Sequence, residues 1–265
     1  MENNLIQIDK KVERRSFLKK LAVVALAPLT VRILASDDGK LKKVKKWILD
    51  NGYIPGDHKW GMGIDIGKCI GCGRCADACK NENGVPREPF FFRTWVERYN
   101  IYENGDIKVD SPNGAIDGFE YIPSKNKMLR SFFVPKICNH CDNPPCVQVC
   151  PVGATFKSED GVVLVDTDYC IGCRYCIQAC PYGARFLHPE KLTAEKCTFC
   201  YHRIVQDKLP ACVEVCPTQT RIFGELNKKA SPLVRFLRMN NIGVLKPSLN
   251  TEPKVFYANL DMEVK

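Results

Sequence analysis

The chain has 265 residues, 45% of them hydrophobic, so it is long enough for one or two domains with a real core, and wholesale disorder is excluded. Its formal net charge of +9 suggests an anionic partner such as nucleic acid, but seven Lys/Arg against three Asp/Glu fall in residues 1–35 and inflate that total. The composition outlier is cysteine: sixteen residues in four groups of four, with none left over.

Residues 1–36 read as an export signal. Arg14 and Arg15 precede Ser16, Phe17, Leu18 and Lys19, and an apolar run follows from Leu21 to Val31. That run is too short to span a bilayer, which takes about 20 residues. The paired arginines resemble the twin-arginine signal of bacterial export. The bland alternative is an amphipathic N-terminal helix.

Residues 37–60 read as a linker with a short helix at 40–48. There Leu41, Val44 and Ile48 share one face and lysines surround them, a pattern for a solvated surface helix. Ile64 and Ile66 then alternate with polar residues, as in a short strand leading into the first cysteine group. That group is Cys69, Cys72, Cys75 and Cys79.

Residues 80–137 form a β-rich insertion. "FFFRTWVERYNIY" is dense in strand formers, and Asn104-Gly105 marks a hairpin. Phe90, Phe91, Phe92 and Trp95 are expected in the sheet core. "PSKNKMLR" reads as a loop.

An internal repeat begins at Cys138. "CVQVCPVGATF" at Cys146 and "CIQACPYGARF" at Cys176 match almost position for position, and "CVEVCPTQTRIFG" at Cys212 is a weaker third copy. Each unit predicts a cysteine loop, a short helix and a strand, with strand–turn–strand in "ATFKSEDGVVLVD". The remaining groups are Cys138, Cys141, Cys146, Cys150; Cys170, Cys173, Cys176, Cys180; and Cys197, Cys200, Cys212, Cys216. The tail, residues 225–265, carries no cysteine and no long apolar run. No transmembrane helix is expected in the chain.

The spacing points to iron–sulfur chemistry. Two residues between Cys170, Cys173 and Cys176 let the backbone curl around one small object, with Gly172 inside the curl, where a side chain would crowd it. Cys180 lies one helical turn beyond Cys176, and Pro181 discourages continuation. The fourth thiolate therefore serves a different cluster, as in the bacterial ferredoxin run. Cys69 repeats the pattern with Lys80 in place of the proline. Cys138 and Cys197 open its middle gap to four and eleven residues. Zinc is the main rival, but structural zinc favours two separate Cys-x2-4-Cys pairs. Disulfides are the other rival, yet Cys-x-x-Cys bridges close almost no loop. Each 4Fe–4S cluster with its thiolates carries roughly −2, so four would cancel most of the basic total and remove the case for nucleic acid. His140 and His202 lie beside cysteines but are not needed as ligands, and they read as second-layer or structural groups. His58 and His188 carry no motif. No hydrolase triad or phosphate loop appears, and no catalytic residue is assigned.

These four groups and the Arg14-Arg15 leader resemble the four-cluster, ferredoxin-like electron-transfer subunits of the dimethyl sulfoxide, polysulfide and tetrathionate reductase class. The resemblance covers Gly61 to Gly224. It implies an α+β fold of tandem bacterial-ferredoxin-like, βαβ-type cluster-binding modules over 61–224, and four 4Fe–4S clusters. Their ligand sets would be Cys69, Cys72, Cys75, Cys216; Cys197, Cys200, Cys212, Cys79; Cys138, Cys141, Cys146, Cys180; and Cys170, Cys173, Cys176, Cys150. It further implies a non-catalytic subunit of an anaerobic respiratory complex. Electrons would pass between an integral membrane, quinone-linked subunit and a molybdopterin-dependent catalytic subunit. The location would be periplasmic, with membrane association through a partner. A free-standing exported polyferredoxin and a hydrogenase-associated carrier are the alternatives.

Overall fold

The computed structural model describes residues 52–88 and 90–264. The leader and the helix expected at 40–48 lie outside the described residues.

The central strand is β1, Trp60–Asp65, with all its residues buried. The alternation expected around Ile64 is absent because β1 is covered on both faces and has neighbours on both edges. It pairs antiparallel with β9 (Arg221–Glu225) and parallel with β11 (Val255–Ala258), and the short β10 (Ile242–Gly243) completes the order β10-β11-β1-β9. Helix α6 (Pro232–Met239) packs on β1 and β9. A Cβ at Gly63 would stand 2.5 Å from the Phe236 ring, so only glycine lets this helix approach.

The residues read as a tail are therefore part of this fold. The boundary placed at 224/225 falls inside β9, and that at 60/61 falls inside β1. Beyond β9 the chain supplies α6 and two strands, and Val255, Tyr257 and Ala258 are fully buried. Residues 251–254 also brace the second cysteine group. Asp142 N donates to Glu252 O at 2.8 Å, Asn143 N to Thr251 O at 3.1 Å, and Lys254 N to Asn139 O at 2.9 Å. A four-residue strand held by partners nearly 200 positions away leaves no periodic signature.

The insertion forms a separate antiparallel sheet, β3-β2-β4, from β2 (Thr94–Tyr102), β3 (Ile107–Asp110) and β4 (Met128–Ile137). Its hairpin turns at Asn104-Gly105, with Gly105 at φ 83°. Part of the segment read as loop, from Met128, already belongs to β4. Tyr257 Oη donates to Pro135 O at 3.1 Å and ties this sheet to the central one.

The aromatic expectation is corrected. Phe90 is 83% exposed, while Phe91, Phe92 and Trp95 are half-buried. The three phenylalanines precede β2, and along β2 the pleat turns Thr94 and Val96 inward and Trp95 away from them.

Three cysteine groups end in Cys-Pro, and each has a one-turn helix: α2 (Pro145–Gln148), α3 (Tyr175–Gln178) and α5 (Ala211–Glu214). At Cys79 the proline is Lys80, and α1 continues as Arg74–Asn83 to a left-handed Gly84. A further turn, α4 (Tyr201–Ile204), follows Cys200. Two hairpins complete the chain, β5 (Thr155–Lys157) with β6 (Val163–Val165), and β7 (Arg185–Leu187) with β8 (Ala194–Lys196).

Candidate metal centre

Helix α1 carries Cys75 and Cys79 four residues apart, on one face and about 6 Å apart along the axis. It packs against α5, which carries Cys212 and is followed by Cys216. Helix α1 thus offers one thiol to each of two cavities, and α5 with the residues just after it does the same. The first is lined by Cys69, Cys72, Cys75 and Cys216, with Thr218 and Arg221. The second is lined by Cys79, Cys197, Cys200 and Cys212, with Asn83 and Phe199. Three cysteines of one group meet one from a group far along the chain in both.

In the other half, Cys138, Cys146 and Cys180 surround Cys141. Burial raises the Cys141 thiol most, a hydrogen bond with Thr251 lowers it, and charge on those three neighbours raises it again, to about 12. Cys146 and Cys176 pack side by side with Val163 and Ala194, and Cys170 lies against them. Cys150 is half-buried and Cys173 is exposed. Among the sixteen cysteines only Cys72 and Cys173 are exposed.

Protonation chemistry bears on what these thiols hold. Burial pushes Cys69 up to about 11 and Cys212 up to about 12, and pushes Cys197 and Cys79 well up, so bare thiols there are neutral. Yet donors aim at the sulfurs. Backbone N–H groups of Phe199, Ala194 and Thr155 reach Cys197, Cys170 and Cys150 at 3.2, 3.3 and 3.4 Å. At Cys150 and Cys216 burial raises the thiol, but hydrogen bonds from the turn after the proline outweigh it and hold both below the ordinary value.

Two buried arginines sharpen the point. Arg221 Nη2 donates to Cys75 Sγ at 3.4 Å, and its Nη1 to Cys212 Sγ at 3.8 Å. Arg185 Nη2 donates to Cys146 Sγ at 3.1 Å. Among the described residues neither pairs with a carboxylate; the groups near them that can turn anionic are thiols and one phenol. Burial works against each charge, and the ionised form of those thiols would favour it. A buried cation needs a counter-charge. Iron-bound thiolates supply it and free thiols do not. Eight of the sixteen thiols stand four by four around the two cavities. This donor set fits iron–sulfur clusters.

His140 is fully buried. Its Nδ1 accepts from Val163 N at 3.1 Å, and burial pushes the imidazole well down, so it is neutral with its proton on Nε2. That Nε2 has no partner among the described residues. His202 instead meets Glu82 at 2.6 Å, and His188 Nδ1 accepts the N–H groups of Glu190 and Lys191. His58 stacks between Tyr53 and Trp60.

Gly172 stands where the curl needs a left-handed residue, at φ +69°, but the group that excludes a side chain is the chain itself: a Cβ would meet Leu192 O at 2.4 Å. Sequence reasoning did not single out Arg185 and Arg221. Their signal is positional, since each stands five residues after the Cys of a Cys-Pro pair and opens a strand.

Two 4Fe–4S dicluster domain families match the chain, one over residues 129–226 and one over 68–154. The chain is 44% identical over 206 residues to a tetrathionate reductase subunit of Salmonella typhimurium, covering 77% of this chain and 74% of that one. It is 46% identical over 216 residues to the subunit of the same name from Archaeoglobus fulgidus, covering 82% and 87%. It is 38% identical over 245 residues to protein NrfC of Escherichia coli K12, covering 92% and 93%. The chain carries 4Fe–4S dicluster domains and belongs to the family of iron–sulfur subunits found in the tetrathionate and dimethyl sulfoxide reductases.

Proposed function

We propose that this chain is the electron relay of a respiratory reductase complex, holding four 4Fe–4S clusters in line on the ligand sets given above. A bound cluster takes up and returns one electron with little rearrangement. Contacts between the ligand sets support the order. Arg221 touches Cys75 of the first set and Cys212 of the second. Cys197 of the second lies in the field of Cys138 of the third. Cys146 of the third packs beside Cys176 of the fourth. Phe199, Ile137 and Met62 keep water from the second cavity.

The observation that carries this reading is the exposure pattern along that order. The two exposed cysteines, Cys72 and Cys173, belong to the first and last proposed sets, which supports a line more shielded in the middle than at its ends. Ile70 and Ile171, 59% and 65% exposed, flank those ends as apolar contacts for partner subunits. We assign one end to a membrane quinone-linked subunit and the other to a molybdopterin-dependent catalytic subunit. Among the described residues no helix is long and apolar enough to cross a membrane. The Arg14-Arg15 leader supports export by the twin-arginine route and a periplasmic site.

The test is Cys173→Ser in the intact complex. Quinol-driven turnover falls, while dye-linked activity of the catalytic subunit survives. Unchanged quinol-driven turnover would overturn the relay, and purification of the chain free of any partner would favour a soluble shuttle.

A further inference from the structure

Arg185 and Arg221 are equivalent positions in the internal repeat. Each stands five residues after a Cys-Pro cysteine, Cys180 and Cys216, at the first residue of a strand. The same position after Cys150 is Thr155, and after Cys79 it is Gly84. At this position the four groups therefore carry two arginines, one in each half of the molecule.

Their surroundings are alike. Arg221 is 3% exposed and Arg185 is 5% exposed. Arg221 Nη2 also donates to Thr94 Oγ1 at 2.7 Å, and its Nη1 lies 3.9 Å from Met62 Sδ. Arg185 Nη1 donates to Thr155 Oγ1 at 3.3 Å, while its Nε has no partner among the described residues. In each case a threonine hydroxyl steadies the fork and a cysteine sulfur receives it. The Arg221 fork spans Cys75 and Cys212, which belong to different ligand sets. Arg185 contacts Cys146, whose neighbour in the small core is Cys176 of the next set. Lys196, also fully buried, behaves differently: its Nζ donates to the carbonyls of Val163 and Cys197 and, among the described residues, to no sulfur.

We propose that Arg185 and Arg221 are shared potential-setting cations, each raising the reduction potentials of the two clusters between whose ligands it lies. The proposal rests on the four-cluster reading. Reduction of a cluster adds one negative charge. A fixed cation against the ligand sulfurs stabilises that charge, and the low dielectric of the interior strengthens the effect. Arginine suits the task because it cannot lose its proton there, and its planar fork reaches two acceptors at once. One guanidinium per pair therefore couples two potentials to one side chain.

The experiment uses the full chain in its anaerobically purified complex, with Arg221→Gln, Arg221→Lys and Arg185→Gln. Iron and acid-labile sulfide are assayed, and the clusters are titrated with dithionite and mediators under EPR. Arg221→Gln shifts two of the four midpoints to lower potential, Arg185→Gln shifts the other two, and Arg221→Lys shifts its pair less than Gln does. Loss of two clusters in Arg221→Gln, with retention in Arg221→Lys, also supports the role of charge. Unmoved midpoints in an iron-replete Gln variant overturn the proposal. So does one pattern of shift from both Gln variants, or equal cluster loss in Lys and Gln. A parent protein without iron would instead sink the cluster reading itself.

Discussion

The His140 imidazole lies on the Phe199 ring with centroids 3.7 Å apart and 22° between the planes. Each residue immediately precedes the second cysteine of its Cys-x-x-Cys, and each sits at positive φ, 43° and 54°. The matching residues of the other two groups are Gly71 and Gly172, both at φ +69°. All four loops need a left-handed residue at this point. In the groups that begin at Cys69 and Cys170 glycine fills it. In the groups that begin at Cys138 and Cys197 a ring fills it, and the two rings stack on each other. Backbone strain of about 1–2 kcal/mol at each is the cost of that contact.

Replacing Phe199 by glycine separates these effects. The lost ring removes a buried aromatic contact, which ordinarily costs about 3–5 kcal/mol. Relief of the left-handed strain returns about 1 kcal/mol of it. The expected result is a net loss of about 2–4 kcal/mol, with clusters initially intact. Thermal bleaching of the visible absorbance checks it: the variant bleaches at lower temperature than the parent. An unchanged bleaching temperature would mean that the stack contributes nothing.

Gly172 and Gly183 make a matched pair. Both have positive φ, +69° and +62°, but a Cβ on Gly172 would meet Leu192 O at 2.4 Å, whereas one on Gly183 meets nothing within 4 Å. Gly183→Ala is expected to cost about 1 kcal/mol from strain alone and to keep its full iron content. Gly172→Ala must move the cysteine loop that carries Cys170 and Cys173, so iron content falls by about one cluster's share. Iron and sulfide assays on the two variants decide between them.

Truncation after Asn250 tests the role of the last residues. It removes β11 from the edge of β1 and strips Thr251, Glu252 and Lys254 from the loop around Cys141. The expected outcome is loss of soluble, iron-loaded protein, not a shorter protein of normal colour. A truncated chain with parental iron content would show that the segment is dispensable.

Iron removal under anaerobic, reducing conditions leaves Arg185 and Arg221 buried beside thiols that burial keeps neutral. Uncompensated buried charge is strongly destabilising. Strands β7 and β9, which begin at these arginines, are expected to lose hydrogen-exchange protection first. The antiparallel sheet β3-β2-β4, which contains no cysteine before Cys138, is expected to keep its protection longer. Uniform loss across both regions would remove the arginines from the explanation.

The cysteine spacing, the one-turn helices closed by Pro151, Pro181 and Pro217, and the Asn104-Gly105 hairpin were legible in the chain because each is local. Dihedral limits and ring closure act within a few residues, so the sequence states them directly. The longer α1 was legible in principle at Lys80, where the proline is missing. The folded tail, the half-buried aromatics before β2, the His140–Phe199 stack and the two arginines between thiols were decided only by tertiary structure. Each depends on partners many positions away. β11 is a strand because β1 lies beside it, and Arg221 finds a sulfur acceptor because Cys75, nearly 150 residues earlier, is brought to its fork. Burial and charge compensation are properties of that meeting, and no window of the sequence contains both partners.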